Sequence, residues 1–157
     1  MNPLRSLPGL VGVLVLGTNL ALAANASADP ATDYMLHCRG CHGPEGAGTP
    51  PDVPDFRGEI GRFLAVDGGR EYLIRIPGVS QSELSDARTA ALLSWLVRHF
   101  DAERVPPDFR EFTAAEVTRH RRPPLTDVAT VRAALLGGSA AASRYGWTDE
   151  DDASDGD

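Results

Sequence analysis

Apolar residues recur along this chain at helical spacing in several short runs, and no segment alternates convincingly as a half-buried strand would. The clearest run lies between Ser82 and Phe100. There Ala90, Leu93, Leu96, Val97 and Phe100 form one stripe, with Ser82 or Ser85 at its start. A shorter helix is predicted from Thr32 to Cys41, capped by Thr32 or Asp33, with Tyr34 and Cys38 on one face at i, i+4. Gly69 to Ile76 predicts another, ending before Pro77-Gly78. Thr113, with Glu116 three residues on, has the form of a capping box and opens a helix that ends before Pro123-Pro124. Thr126 or Asp127 opens a last helix through Leu136, stopped by Gly137-Gly138. Gly43 to Pro54 is crowded with glycine and proline and reads as an irregular loop, and Arg104 to Phe109 as a proline-rich break. The pattern predicts an all-α fold.

The first apolar run is of a different kind. Arg5 precedes the apolar stretch Leu7 to Ala23, which ends in the small-x-small form Ala21-Leu22-Ala23; Ala26-Ser27-Ala28 offers a second cleavage site. Pro8, Gly9, Gly12 and Gly17 interrupt the stretch, and it is short for a membrane span. The expectation is a signal peptide over residues 1–23, a linker over 24–30 and an exported chain, held at a membrane only if the first segment stays uncleaved. No later segment has the character of a membrane span.

Charge changes the picture little. The formal net charge is −7, but six acidic residues, Asp149, Glu150, Asp151, Asp152, Asp155 and Asp157, sit in the last nine positions. Residues 139–157 therefore read as a disordered acidic tail. The rest is nearly balanced, and without a broad basic patch nucleic acid is excluded as a partner. All 15 basic residues are arginine, a compositional bias rather than a chemical signal.

The candidate chemistry is concentrated in Cys38-Arg39-Gly40-Cys41-His42, the attachment pattern of a c-type haem. Two thiols separated by two residues on a helical turn can reach the two vinyl groups of one haem, and the next residue places an imidazole under the iron. Three other readings compete. A disulfide between the two cysteines suits an exported chain. A thioredoxin-like redox pair should follow a strand in a βαβ unit, and no such unit is predicted. A structural zinc site needs about four ligands, and no second Cys/His pair stands at suitable spacing. Motif, export signal and helical body together favour one covalent haem c, with Cys38 and Cys41 as attachment points and His42 as an axial iron ligand.

From about Asp29 to Phe100 the chain resembles the class I cytochromes c. The resemblance is carried by Cys38-x-x-Cys41-His42-Gly43, by Pro54-x-Phe56-x-Gly58 twelve residues beyond the histidine, and by the helix bearing Trp95-Leu96. It implies a cytochrome c-like set of helices around the haem over residues 31–101. It also implies that the Pro54 carbonyl accepts a hydrogen bond from the far nitrogen of His42, and that Tyr34 and Trp95 pair where the first and last core helices cross. Residues 102–138 form a helical extension. At about 35 residues it is too small for a core of its own and is expected to wrap the rest. Its basic cluster, Arg119, Arg121 and Arg122, reads either as a solvated helix face or as ion-pair partners for haem propionates or an acidic protein.

The resemblance also implies a methionine ligand from the loop ahead of the last core helix. Here that loop, Ile76 to Ser82, has none. Met35 lies on the attachment helix and reads as a core residue. His37 adjoins Cys38, and His99 reads as a solvated helix end. His120, a residue of the Val79 to Gln81 loop, or no ligand at all remain open for the sixth position. The leading expectation is a periplasmic electron carrier, not an enzyme, working with a redox partner such as a periplasmic dehydrogenase or terminal oxidase. The alternatives are a haem protein with an open sixth position that binds or senses a small molecule, and a fixed cytochrome subunit of a larger dehydrogenase or oxidase.

Overall fold

The computed structural model describes residues 29–137, residue 51 excepted. Every regular element among them is helical. In chain order these are α1 (Pro30–His37), α2 (Arg39–His42), a 3₁₀ segment (Ile60–Ala65), α3 (Gly69–Arg75), α4 (Pro77–Ser80), α5 (Asp86–Phe100), a 3₁₀ turn (Ala102–Arg104), α6 (Ala114–His120) and α7 (Val128–Gly137). The all-α expectation is met; the β contact described is an isolated bridge between Thr49 and Val53. The expected signal peptide (1–23), all but the end of the linker (24–30) and the acidic tail (139–157) lie outside the described residues.

The first helix starts earlier than its polar residues suggest. Asp29 caps it, accepting from the Ala31 N–H at 3.2 Å. Pro30 follows, at a position where a missing N–H breaks no helical bond. Asp33, predicted as a possible cap, is 0% exposed. Its carboxylate instead accepts twice from the Arg88 guanidinium of α5. A partner 55 positions away decided this, which no local rule can see. The predicted single helix from Thr32 to Cys41 is also split, because Cys38 leaves helical geometry at φ −124°. Met35 is another correction. It is 53% exposed, and Leu36 69%, because α1 buries Asp33 and Tyr34 and turns the next two residues outward.

α5 is the central strut. Ser85 caps it, accepting from the Arg88 N–H at 3.4 Å, and Ala90, Leu92, Leu93, Leu96 and Val97 are buried along it. α1 packs across it through Tyr34, whose ring lies 5.7 Å from Trp95 and 5.1 Å from Phe100. The pairing implied by the resemblance is therefore present. The segment Ile60–Ala65 has no clear sequence signature. It buries Ile60 and Phe63, three positions apart and eclipsed in a 3₁₀ turn, and Phe63 stacks on Tyr72 of α3 at 4.6 Å.

Residues 102–137 share this core. Phe112, Val117, Leu125, Val131 and Leu135 are buried in one cluster with the α3 and α5 side chains. The capping box forms as predicted: Thr113 Oγ1 accepts from the Glu116 N–H at 3.1 Å, and Glu116 accepts from the Thr113 N–H at 3.4 Å. Glu116 also binds Arg70 of α3 at 2.7 Å, and that guanidinium lies 3.9 Å over the Phe112 ring. Asp127 caps α7, accepting from the Thr130 N–H at 3.1 Å.

Arg121 departs from the solvated face predicted for its cluster. Arg119 and Arg122 are exposed, but the Arg121 side chain is 12% exposed. Its guanidinium donates to the carbonyls of Ser80, Ser82 and Leu84 and to the Asp86 carboxylate. One side chain from the extension thus pins the connection between α4 and α5. Hydrogen bonds from a charged donor contribute about 1.5–3 kcal/mol each and do not add fully when one side chain makes them all. Arg121→Ala is expected to destabilise the fold by about 3 kcal/mol, read as a lower urea midpoint at unchanged slope. A lysine there, lacking the planar fork, should recover only part of the loss.

Candidate haem site

The site is built from one turn and one loop. The Cys38 N–H donates to the Tyr34 carbonyl at 2.9 Å as α1 ends, and the His42 N–H donates to the Cys38 carbonyl at 3.0 Å in the next turn. Cys38, Cys41 and His42 therefore stand within one helical turn, three and four positions apart on neighbouring faces. Gly43 ends the turn at φ +72°, and the Tyr34 hydroxyl donates to its carbonyl, tying the turn back to α1.

The loop that follows folds over His42. The Gly48 N–H donates to the His42 carbonyl at 2.9 Å, and Thr49 and Val53 exchange backbone bonds at 2.8 and 3.0 Å. Gly48 makes this path possible. It sits at φ +63°, and a Cβ there would lie 2.3 Å from the Val53 oxygen and 2.5 Å from the Pro54 oxygen. The outcome is that the Pro54 carbonyl accepts from His42 Nδ1 at 3.2 Å. Phe56 stacks on the imidazole with centroids 3.9 Å apart.

Electrostatics follow from this geometry. Burial pushes the His42 pKa down, opposed by the Pro54 carbonyl, and so favours the neutral ring. With its Nδ1 proton directed at Pro54, the Nε2 lone pair is free for a metal. Cys38 and Cys41 are both free thiols, so the disulfide reading is not realised. Burial, and then the neighbouring Asp33 and Cys41, push the Cys38 thiol up to about 11. Cys41 is exposed.

Beside Cys38 lies a small cleft of about 10 Å³, lined by Gly78, Val79, Ser82, Leu84, Thr89, Leu92 and Leu93, with His37 exposed at its rim. The Thr89 hydroxyl is fully buried without a hydrogen-bond partner among the described residues, and so is that of Ser80. The donor set fits a covalently attached haem: two free thiols on one turn and an imidazole with one nitrogen engaged and the other available. The rival readings fare worse. Among the described residues there is no strand for a thioredoxin-like unit to follow, and no group of three His, Cys, Asp or Glu side chains suits a zinc ion.

The remaining predicted candidates are dispersed. His120 Nδ1 lies 3.6 Å from the Glu71 carboxylate of α3, away from the cleft lining. His99 is exposed and stacks on Trp95 at 4.2 Å. Sequence reasoning missed the parts played by Gly48, Thr89 and Arg121. Gly48 is one glycine among several in its loop, and the other two side chains acquire their roles through long-range contacts.

No protein-family model matches the chain. Two known proteins are similar to it, both from Thermus thermophilus. One cytochrome c-552 is 35% identical over 135 residues, covering 74% of this chain and 88% of that protein. A second cytochrome c-552 is 33% identical over 117 residues, covering 63% of this chain and 88% of that protein. Both alignments are longer than the part of this chain they cover, so the relatives carry residues here that this chain lacks. With such identity across most of each relative, and with two thiols and a carbonyl-bound imidazole gathered on one turn, the chain belongs to the c-type cytochromes.

Proposed function

We propose that this c-type cytochrome is a single-haem electron carrier of the periplasm, passing one electron at a time to or from an exported redox enzyme such as a dehydrogenase or terminal oxidase. Its cofactor is one covalently bound haem c, which supplies a reversible one-electron change at iron. In this reading Cys38 and Cys41 hold the group through thioethers, and His42 binds iron through Nε2. The observation that carries it is the His42–Pro54 bond at 3.2 Å, which fixes the ring and its tautomer for that role.

The other residues support the same task. Phe56 restrains the imidazole from rotating, and Val79, Leu84, Leu92 and Leu93 give the cleft beside Cys38 a largely aliphatic lining. Cys41 is exposed, so this edge of the site is within reach of a docking protein. Redox encounters of this kind are small and brief. Export rests on the Leu7 to Ala23 pattern. No helix among the described residues is long and apolar enough to cross a membrane.

A spectroelectrochemical titration of the purified holoprotein should follow a one-electron curve, reversible in both directions. Peptide sequencing of material released from the periplasm should begin just after Ala23 or Ala28. A multi-electron curve, or a chain retained in the cytoplasm with its first residues intact, would overturn the reading.

A further inference from the structure

The His42 ring is the first of a series of aromatic rings that runs to the end of α5. Phe56 lies on the imidazole with centroids 3.9 Å apart and planes within 18° of parallel. Phe56 meets Phe100 at 5.7 Å, and Phe100 meets His99 nearly at right angles at 4.7 Å. His99 is exposed. A branch reaches the same imidazole, because Trp95 lies 5.7 Å from Phe100 and stacks on His99 at 4.2 Å. Each separation is that of rings in direct contact. An unbroken line of rings therefore joins the iron-binding imidazole to the surface.

Packing explains the middle of this series, where Phe100 lies against the buried Tyr34. It does not explain the outer end. His99 is exposed, so its stack on Trp95 buries little. The loop supplies a second observation, since it is shaped around Phe100. Gly46 is buried at φ +69°, and a Cβ there would meet the Phe100 ring at 2.7 Å. The Gly46 carbonyl also accepts from the Phe56 N–H at 2.8 Å. One backbone position thus sets both rings between His42 and His99.

We propose that the exposed His99–Trp95 stack is an electron port, joined to the haem iron through Phe100, Phe56 and His42. Its partner is a one-electron donor or acceptor that lies against the exposed imidazole. Tunnelling weakens steeply with each gap between orbitals, and rings in contact keep those gaps small. In one direction ferrous iron becomes ferric as the acceptor gains one electron; the rings are neither oxidised nor reduced, and no proton moves. The port is additional to the exposed Cys41 edge, so a donor and an acceptor can use different places. This inference rests on the haem reading above, with His42 as iron ligand.

The test uses the haem-loaded full chain. Covalent haem on denatured protein and the visible spectrum are measured first, so a failure of the haem reading shows there. A photoexcitable ruthenium bipyridyl group is then attached to one imidazole, and the arrival of its electron at the haem is timed by transient absorption. In one protein His37→Gln and His120→Gln leave His99 to carry the label. In the other, His99→Gln and His120→Gln leave His37, exposed beside Cys38. Phe100→Leu is expected to slow transfer from the His99 label severalfold and to leave transfer from the His37 label unchanged. Phe100→Tyr, which keeps a ring, should restore the first rate. Equal slowing from both labels would show that the haem itself had changed. An unchanged rate from the His99 label would show that the rings only pack. Either result overturns the route. Where Phe100→Leu loads too little haem to measure, Phe56→Leu breaks the same line one ring nearer the iron and is read against the same control.

Discussion

A chain carrying both Cys38→Ala and Cys41→Ala is expected to contain no covalently bound haem: intact-mass measurement should return the bare polypeptide, and a denaturing gel should show no haem stain. The loss is complete because a thioether needs a sulfur, and these are the chain's two cysteines. The single variants separate chemistry from packing. Cys41 is exposed, so Cys41→Ala removes a thiol and little else. Cys38 is packed against the core, so Cys38→Ala also deletes buried contacts and should lower stability further. Lower stability in the double variant than in the loaded protein follows from mass action, since a group held by the folded state favours it. Haem still attached to the double variant would remove both cysteines from the site.

Gly48→Ala should have the second largest effect, although residue 48 has no side chain with which to hold a haem. At φ +63° an alanine costs about 1–2 kcal/mol from backbone sterics alone. Its Cβ would also meet the Val53 oxygen at 2.3 Å and the Pro54 oxygen at 2.5 Å. Both obstacles are backbone and cannot rotate aside, so the loop must move, and the Pro54 carbonyl with it. A total loss of about 3 kcal/mol or more is expected. The chemical consequence has a sign. When Nδ1 loses its acceptor, the imidazole donates less charge to the metal and the ferric form is favoured less, so the reduction potential should rise. Gly137→Ala is the control, since a Cβ there meets nothing within 4 Å. Thermal unfolding and a redox titration of both variants check the prediction. A Gly48→Ala protein with native stability and native potential would show that the loop is not what positions His42.

The elements legible from sequence were those whose causes are local. The capping box of Thr113 and Glu116 formed as read because both its hydrogen bonds close within one turn. Ser85 opens α5, one of its two predicted starts, and α3 begins at Gly69 as expected. The misreadings have the opposite character. Thr32 or Asp33 is the cap that the sequence predicts for the first helix, but Asp29 caps it and the tertiary fold buries Asp33 against Arg88. Met35 looked like core because it is apolar, but α1 offers a narrow buried face already taken by Tyr34. For Arg121 the sequence allows a solvated face or an ion pair to a propionate or a partner, and neither is what the fold makes of it: three carbonyls of the turn before α5 and the Asp86 carboxylate hold it as a largely buried clamp.

The sequence by itself determined the helical class and the attachment pattern. Cys38, Cys41 and His42 fall within five positions, and one turn of backbone brings them together whatever the rest of the chain does. It also revealed that no methionine stands in the loop ahead of α5. Only the tertiary structure decided what surrounds Cys38: a small cleft shared by Leu84, Thr89, Leu92 and Leu93, beside a loop pinned from the extension. The reason is separation along the chain. Thr89 is 51 positions from Cys38, and Arg121 is 41 from the Ser80 carbonyl it holds. Contacts at that range come from how helices pack, not from periodicity within any one of them.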